Sequence, residues 1–490
     1  AVDHARVIST AETALTTMTS DNLTMEFDTS GKDSILDSAL AVGHSLVESK
    51  PIPKSGVDLA DTRILKAETI ATKMRPGGHE IASMETSAPG AIEFVPNRPS
   101  QPHRWMNGDR IFIAYGEKNQ IQSLKTTAVS TRTEKPRSAN DKEAPAPELT
   151  WSKDLAATFQ PKSSQLAKLE QSGDFRFEGG ERKGKADKAV LDQVANRIDL
   201  TGKARVSDTT GSADADKIVL DQNSGDFTAE GNVSSTRMPD KKKETDKDKN
   251  AVAAKDPKAS ASGGMLGEDE PLHARARKMS STDNKLQIRY EGNAVLWQGA
   301  NRLQADVVDI DRDNGLLKAH GHVISQLQDK ANDDGKGAPG DPKRPATNQA
   351  ARVFTTVKAP ELVYDDNKRI ADYKQGAVMD RPNLTVKARE IQAFLRNDTS
   401  DSSLDHAIAD GQVDIHQTAP ARIRTGNSEH AEYFVDEDKI VLTGGRPRFA
   451  DNVRGRTEAE ELTWFSKDDR LLENGVETKP VKSVLNRKKK

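Results

Sequence analysis

The chain has 490 residues, of which 34% are hydrophobic, 4% aromatic and 30% charged, and its formal net charge is −3 at pH 7. So polar a chain is unsuited to a thick globular core and suits a thin one, in which two sheet faces meet over a narrow interior. The nearly balanced charge does not indicate nucleic acid or an anionic surface as a partner.

Cysteine is absent. Its absence excludes disulfides, Cys-ligated metals and thiol catalysis, and it is compatible with an oxidising periplasm. The sequence has no run of eighteen apolar residues, so no segment is expected to cross a membrane as a helix. Because the sequence begins with Ala rather than Met, we expect that an export signal or a membrane anchor has been removed.

Residues 1–130 contain faint copies of a pattern that becomes clear further along the chain. Ile111 and Ile113 alternate as strand residues do, and they precede Leu124 and Ala128. We therefore predict that residues 1–130 form a diverged domain of the same kind as the rest.

The clear pattern begins near residue 149 and has two halves. The first half reads Ala-acid-x-apolar-x-apolar-Asp, as in Ala215–Asp221 and Ala305–Asp311. Sixteen residues after each Ala stands a Gly inside apolar-x-Ala-x-Gly-x-Val, as in Phe227–Val233 and Leu317–Val323. Uninterrupted copies recur every 29 residues. A period of this length is typical of architectures that stack one supersecondary unit per repeat.

Each repeat is predicted to be a hairpin of two strands. Apolar residues alternate in the first strand, as Ile218 and Leu220 do, and this period places such a pair on one face. Turn residues such as Asn314-Gly315 follow, since Asn-Gly supplies the positive φ that tight turns need. The small Ala and Gly residues of the second strand indicate a crowded place such as a bend.

Polar segments rich in Lys, Asp, Pro and Gly interrupt the repeats and divide the chain. They cannot bury enough surface to order themselves, so we predict disorder there. The predicted order is a linker over 131–148, repeats over 149–238, an insert over 239–270, repeats over 271–328, an insert over 329–350, repeats over 351–478 and a basic tail over 479–490.

No catalytic residue, metal site or cofactor is predicted. Asp309–Gly315 resembles a calcium loop, but its Gly stands one place late and His320 occupies the twelfth position in place of Glu. His320 and His322 would share a strand face, but no third ligand is evident, so we predict a surface pair. The acid that recurs at the second position of each repeat, such as Asp216, is read as structural.

The two half-motifs resemble the OstA-like domain of lipopolysaccharide-transport proteins. This family includes a periplasmic bridge protein, an inner-membrane-anchored periplasmic component and the N-terminal domain of an outer-membrane translocon. The matching residues are Ala215–Asp221 with Phe227–Val233, and Ala305–Asp311 with Leu317–Val323. The chain is much longer than a single bridge domain and carries polar inserts, so a fusion of an anchored-component-like part with a bridge-like part is one reading.

The resemblance implies an all-β fold in which repeated antiparallel β-hairpins form an elongated open β-jelly-roll, either one long jelly-roll or two consecutive ones. The V-shaped strands of that fold hold a groove for acyl chains between two apolar inner faces. The predicted lining residues are Ile111, Ile113, Ile218, Leu220, Phe227, Val308, Ile310, Leu317, Leu362, Tyr364, Ile391, Leu462 and Trp464. The segment Leu462, Thr463, Trp464 and Phe465 is predicted to be an edge strand that pairs with a related domain.

The resemblance further implies a non-enzymatic bridge in the periplasm. It would shield the acyl chains of lipopolysaccharide or a similar glycolipid and pass the lipid from an inner-membrane ABC exporter toward the outer membrane. The expected partners are the glycolipid, the jelly-roll domains of the exporter complex and the translocon, and other copies of the chain. The alternative is a structural or adhesive β-solenoid with a closed, dry core and no lipid.

Overall fold

The structure, a computed structural model, describes residues 2–12, 14–53, 59–137, 144–161, 165–239, 270–282, 286–328, 353–396, 403–466, 468–477 and 480–486. Two compact units divide the chain, Ala1–Glu230 and Gly231–Lys490. The predicted insert 329–350 lies outside the described residues, as do residues 240–269 of the other insert and residues 487–490 of the tail.

The first unit contains fourteen strands and one short 3-10 helix among its described residues. The strands are β1 (Val2–Thr10), β2 (Ala14–Asp28), β3 (Ile35–Pro51), β4 (Thr62–Met74), β5 (Ile81–Thr86), β6 (Gly90–Val95), β7 (His103–Gly108), β8 (Phe112–Tyr115), β9 (Ile121–Glu134), β10 (Glu148–Phe159), β11 (Leu166–Gly179), β12 (Arg182–Asp192), β13 (Arg197–Asp208) and β14 (Gly211–Asp221). The 3-10 helix is Glu117–Asn119. The next strand, β15 (Phe227–Arg237), contains the boundary between the units.

The second unit continues with seventeen further strands in its described part. They are β16 (Leu272–Thr282), β17 (Gln287–Gln298), β18 (Asn301–Asp311), β19 (Leu316–Gln328), β20 (Phe354–Asp365), β21 (Ile370–Lys374), β22 (Ala377–Arg381), β23 (Leu384–Ala388), β24 (Glu390–Leu395), β25 (Leu404–Ala419), β26 (Arg422–Phe434), β27 (Lys439–Thr443), β28 (Arg448–Asp451), β29 (Gly455–Glu458), β30 (Glu461–Phe465), β31 (Arg470–Asn474) and β32 (Lys482–Leu485). Every strand pairing within each unit is antiparallel, which confirms the predicted all-β fold of repeated hairpins.

The Gly of the second half-motif is the point at which a long strand bends. In β13, Gly202 and Lys203 both have positive φ, 76° and 47°, and the register with β14 shifts between Thr201 and Ala204. Two consecutive residues of this kind form a bulge, which turns the strand sharply. The same pairing of positive φ recurs at Gly43/His44, Gly173/Asp174, Gly231/Asn232, Gly292/Asn293, Gly321/His322 and Gly411/Gln412. The predicted bend is thus present, and two consecutive residues with positive φ form it.

The bends divide each unit into two sheets. The strand halves that carry the apolar pair of the first half-motif pair with one another, as Val308 of β18 does with Ala319 of β19, and we call this sheet the motif wall. The remaining halves form the other sheet, the facing wall, in which Leu303 pairs with Ser325. Both walls therefore consist of the same bent strands, as in a jelly-roll.

Some strands are interrupted at the bend, and the two shorter strands that result lie in different walls. Among the described strands of the second unit, β21, β24, β27, β30 and β31 lie in the motif wall, and β22, β23, β28, β29 and β32 lie in the facing wall. Gln375 and Gly376 separate β21 from β22, and both have positive φ. The break thus uses the same backbone conformation as the bend.

The recurring acid of the first half-motif packs against the bend of the following strand. A Cβ added to Gly202 would lie 2.8 Å from the Cβ of Asp187, and one added to Gly321 would lie 2.9 Å from the Cβ of Asp306. Asp306 Oδ2 also accepts a hydrogen bond from Nδ1 of His322 at 2.8 Å. The Gly is therefore required both by its φ and by the carboxylate beside it.

The Asp that ends the first half-motif closes the hairpin turn. Asp221 Oδ1 accepts hydrogen bonds from the backbone N–H groups of Asn223 and Ser224, at 2.8 and 2.9 Å. These bonds hold the pKa of the Asp221 carboxyl below its usual value. Asp365 Oδ1 likewise accepts hydrogen bonds from the backbone N–H groups of Asn367 and Lys368. The last position of the motif is thus a turn cap.

Two of the predicted disordered segments contain strand residues. Thr131 and Thr133 belong to β9, which pairs with both β7 and β10, so the linker predicted over 131–148 begins later than its proposed boundary. The Thr131 hydroxyl lies 2.6 Å from the Thr150 hydroxyl, and this pair explains how so polar a stretch stays in the sheet. The predicted tail likewise contains β32, which pairs with β29.

Substitution of Gly202 by Ala is expected to lower the free energy of unfolding by about 1–3 kcal/mol, because Ala is strained at positive φ and its Cβ would meet Asp187. Gly184→Ala in β12 is the matched control, since its added Cβ would meet only ordinary contacts, the nearest at 3.5 Å. Chemical denaturation of both variants measures the difference. Equal effects at the two positions would contradict the assigned role of the bend.

Candidate functional site

Most of the predicted lining residues lie on one face of the motif wall; Ile111 immediately precedes β8, and Leu220 and Phe227 stand near the ends of their strands. Those that the structure buries are Ile111, Ile113, Ile218, Val308, Ile310, Leu317, Leu362, Tyr364, Ile391, Leu462 and Trp464. Leu220 and Phe227 are half-buried. Leu220 stands two residues nearer to its turn than the buried Ile218, so the interior of the first unit is less covered close to that turn.

The facing wall supplies the other half of the interior, and the motif did not predict it. Its buried apolar residues in the second unit include Leu272, Leu296, Leu303, Val323, Val357, Met379, Val386, Val413, Ile415 and Phe449. A signal for them was present in the sequence. An apolar residue stands two places before the Ala of the first half-motif, as Leu303 does before Ala305, and Val323 stands two places after its Gly.

The opposite side of the motif wall is polar and ion-paired. Asp309 lies between the buried Val308 and Ile310, and its two carboxylate oxygens accept hydrogen bonds from Nη1 of Arg289 at 2.9 and 3.0 Å. Both partners are partly exposed. The alternation along β18 therefore separates an apolar inner face from a charged outer face. Val308 and Ile310 lie on the inner face, as the half-motif predicts.

Hydrogen bonds join the two walls across the interior of the second unit. Tyr373 OH, from the motif wall, lies 2.5 Å from Ser325 Oγ of the facing wall. Tyr290 OH and Ser235 Oγ form the equivalent pair at 3.0 Å. Burial raises the pKa of Tyr373 to about 12, so the phenol stays protonated and can donate. Side chains therefore meet across the interior at these positions.

The first unit has a comparable link between its walls. Gln171 of the motif wall donates from Nε2 to Thr150 Oγ1 at 2.9 Å and to Ser152 Oγ at 3.2 Å, and both hydroxyls belong to β10 in the facing wall. Gln171 and Ser152 are buried. Each unit thus contains a thin, mainly apolar interior with a few polar groups that bond across it.

The histidine and acidic side chains of the described residues do not assemble into a metal site. No group of three or more His, Cys, Asp or Glu side chains there could hold a metal ion. His322 is highly exposed at the outer side of a bend and pairs with Asp306. The bend separates His322 from His320, so these two residues do not alternate regularly along β19 as predicted. Among the described helices, none has the length and apolar character to cross a membrane.

The predicted edge strand is an internal strand, and this prediction was wrong. Leu462, Thr463, Trp464 and Phe465 of β30 pair with β27 on one side and with β31 on the other. The reason is that residues 470–474 form one more strand after the turn. Among the described residues, β31 pairs with β30 alone and β32 with β29 alone, so these two strands end the motif wall and the facing wall.

These features define a class of proteins built from stacked, bent β-hairpins around a thin apolar interior. Residues 98–226 and 228–334 match the family model described as LptA/(LptD N-terminal domain) LPS transport protein. These matched residues, just under half of the chain, belong to this OstA-like lipopolysaccharide-transport family, as the repeat motif indicated.

Two further comparisons complete this result. No curated protein matches the chain. A solved structure that matches is LptH of Pseudomonas aeruginosa, titled the LptA homologous periplasmic component of the lipopolysaccharide transport device. It is 15% identical, the match covers 27% of the present chain and 95% of LptH, and the TM-score is 0.24.

Tyr373→Phe is expected to destabilise the second unit by about 1–3 kcal/mol, because it leaves the buried Ser325 hydroxyl without its partner. Ser325→Ala has a similar expected cost for the converse reason. The double variant should cost clearly less than the sum of the two, since both polar groups are then gone. Chemical denaturation of the three variants measures this coupling, and additive effects would show that the two hydroxyls do not interact.

Proposed function

We propose that the protein is a non-enzymatic periplasmic carrier that shields the acyl chains of lipopolysaccharide, or of a similar glycolipid, between the motif wall and the facing wall. The single observation that carries this proposal is the repeated apolar inner face, which recurs from hairpin to hairpin in a chain of the lipopolysaccharide-transport family. The sugar and phosphate groups of the lipid would stay in water, outside the walls.

The energetic requirement is to keep acyl chains out of water. Exposure of one CH₂ group costs about 0.8 kcal/mol, so a chain of a dozen carbons costs about 10 kcal/mol. Residues such as Val308 and Leu362 on one wall and Leu303 and Val357 on the other offer comparable apolar contact in successive hairpins. Similar contact at each step lets the lipid advance without a deep energetic trap.

Entry of a lipid requires that the walls separate. The inner side chains are in contact at Tyr373 and Ser325 and at Tyr290 and Ser235, so these pairs must part. A hydrogen bond of this kind contributes about 0.5–1.5 kcal/mol net. Burial of one acyl chain exceeds the loss of both bonds, so the lipid itself can drive the opening.

The position of the protein in the transport route follows from this role. An inner-membrane ABC exporter would deliver the lipid, and the jelly-roll domain of an outer-membrane translocon would receive it. Anchoring of the protein to the inner membrane by an N-terminal segment is compatible with this role. No cofactor is needed, since the chemistry consists of binding and release.

We further propose that the ends of the walls pair with related domains. An unpaired strand edge readily adds a strand from another chain. Leu472 of β31 and Val484 of β32 are exposed apolar residues on the last strand of each wall. This proposal replaces the predicted edge at Leu462–Phe465.

The rival function is that of a structural or adhesive β-solenoid. The observation that favours it is that the inner residues contact one another across the walls, as in an ordinary dry core. The distinction between the two functions is whether lipid reaches these residues.

Photo-crosslinking residues at Val308 and Leu303, one on each wall, are expected to capture lipopolysaccharide, because both side chains face the interior. The matched controls are Gln304 and Asp309 on the same strand, whose side chains alternate with the buried ones. Mass spectrometry of the adducts measures capture. Labelling of equal strength at all four positions, or at none, would count against the carrier.

Leu472→Lys and Val484→Lys should each weaken binding to a related jelly-roll domain by about tenfold or more, because lysine on an edge strand opposes strand addition. Val194→Lys, at an exposed turn of the first unit, is the control and should leave binding unchanged. Titration of a labelled partner domain measures the affinities. Unchanged affinity in both edge variants would exclude pairing through β31 and β32.

A further inference from the structure

A cavity of about 220 Å³ lies at the C-terminal end of the second unit and has two chemically different sides. Strands β26, β28, β29 and β32 of the facing wall line it together with β30 and β31 of the motif wall. It is therefore located where the two walls end, close to the last strand of each.

One side of the cavity is apolar. Phe449 and Trp464 come from opposite walls and meet edge to face, with ring centroids 5.0 Å apart. Leu471 and Leu485 extend this surface, and Leu485 is among the most exposed large apolar side chains described. Phe449 and Trp464 are already buried, so an alkyl chain would cover Leu471 and Leu485 and remove them from water.

The other side is a cluster of guanidinium groups. Arg422, Arg424 and Arg454 all reach one carboxylate, that of Asp469. The Arg422 Nη1 contact is 2.7 Å and the Arg454 Nη2 contact is 2.5 Å. Asp451 accepts a further bond from Arg422 Nε at 2.8 Å. Three guanidinium groups thus share two carboxylates, and these contacts fix their positions.

Positive charge is in excess throughout the cavity. Arg456 and Arg470 also line it, and Glu473 is the one other acidic residue of the lining, so five arginines face three carboxylates. Arg424 is 6% exposed, and its Nε has no hydrogen-bond partner among the described residues; the nearest carboxylate oxygen, from Asp451, is 3.5 Å away. Arginines held in this way are suited to bind the oxygens of a phosphate group.

We propose that this cavity binds an anionic amphiphile, with a phosphate group against Arg422 and Arg454 and an alkyl chain over Leu471 and Leu485. The inference deepens the proposed carrier function and rests on it for its biological meaning. The site would recognise the charged head of a lipid at the last strands of the walls, whereas the interior binds only the chains.

The same contacts connect head-group recognition to the separation of the walls. Arg424 belongs to the facing wall and Asp469 follows the last-but-one strand of the motif wall, so their ion pair fastens the two walls at this end. The Arg424 guanidinium also lies over the Trp464 ring, 5.5 Å from its centroid. A phosphate that competes with Asp469 for the arginines would loosen this fastening.

Dodecyl phosphate, used below its micellar concentration, is the probe, and binding to the full chain is followed by calorimetry. Arg454→Gln should weaken its binding about tenfold, the size expected for loss of one charge-assisted hydrogen bond, and Arg454→Lys should weaken it less. Arg448→Gln removes an exposed arginine of β28 that pairs with Glu458 and does not line the cavity, so it should leave binding unchanged.

Two other ligands separate the parts of the proposal. Dodecyl maltoside has the chain without the charge, and inorganic phosphate has the charge without the chain, so both should bind at least tenfold more weakly than dodecyl phosphate. Equal binding of either one, no binding of dodecyl phosphate, or equal effects of Arg454→Gln and Arg448→Gln would overturn the assignment. Crosslinking of lipopolysaccharide at Val308 tests the carrier function separately, because a failure of that function leaves the affinity for dodecyl phosphate unaffected.

Discussion

The bend in each long strand is the constraint on which the rest of the structure depends. In strands such as β13 it is formed by two consecutive residues at positive φ, the first of them a Gly against which a side chain of the previous strand packs, as Asp187 packs against Gly202. Because neighbouring long strands bend at matching positions, the halves before and after the bends form two walls of one hydrogen-bonded sheet. The 29-residue spacing of the repeat therefore determines where the strands bend, and the two walls follow from these bends.

A thin interior is the consequence of this arrangement, and it accounts for the polar composition. Buried residues close to the bends are often small, such as Ala204, Ala294 and Ala319. Val308 and Leu362, which are larger, pair with Ala319 from the two neighbouring strands, so small and large residues alternate from strand to strand at this level. Only alternate residues of each strand face inward, so 34% hydrophobic residues suffice for both walls.

In the proposed carrier, the polar pairs inside this interior would set the balance between the closed state and a lipid-filled one. Tyr373 with Ser325 satisfies two groups that burial would otherwise leave unpaired, and it does so only while the walls are together. A wholly apolar interior would have no such preference for one distance between the two walls. In this proposal the interior combines weak, specific closure with apolar contact that an acyl chain would replace.

Much of this arrangement could be predicted from the sequence, because its signals are local. The alternation of apolar residues predicted the strands and their inner face, and the small Ala and Gly residues of the second half-motif predicted the bend. The facing wall was missed because most of its residues, such as Leu303, stand outside the half-motifs, and only Val323 and its equivalents lie within them. The wrong edge strand has a related cause: Leu471 and Leu472 are adjacent rather than alternating, so β31 carries no strand signal of its own. Contacts such as Tyr373 with Ser325 join residues 48 positions apart, and no local pattern contains them.

The central claim is that the two walls move apart to admit lipid. The chain has no cysteine, so Arg302→Cys and Asp313→Cys place two spin labels uniquely, near opposite ends of the bent strand β18. Pulsed electron paramagnetic resonance measures the distance between them with and without lipopolysaccharide. The distance between the two labels is expected to be longer when lipid is present. A distribution that stays the same while lipid is bound would contradict it.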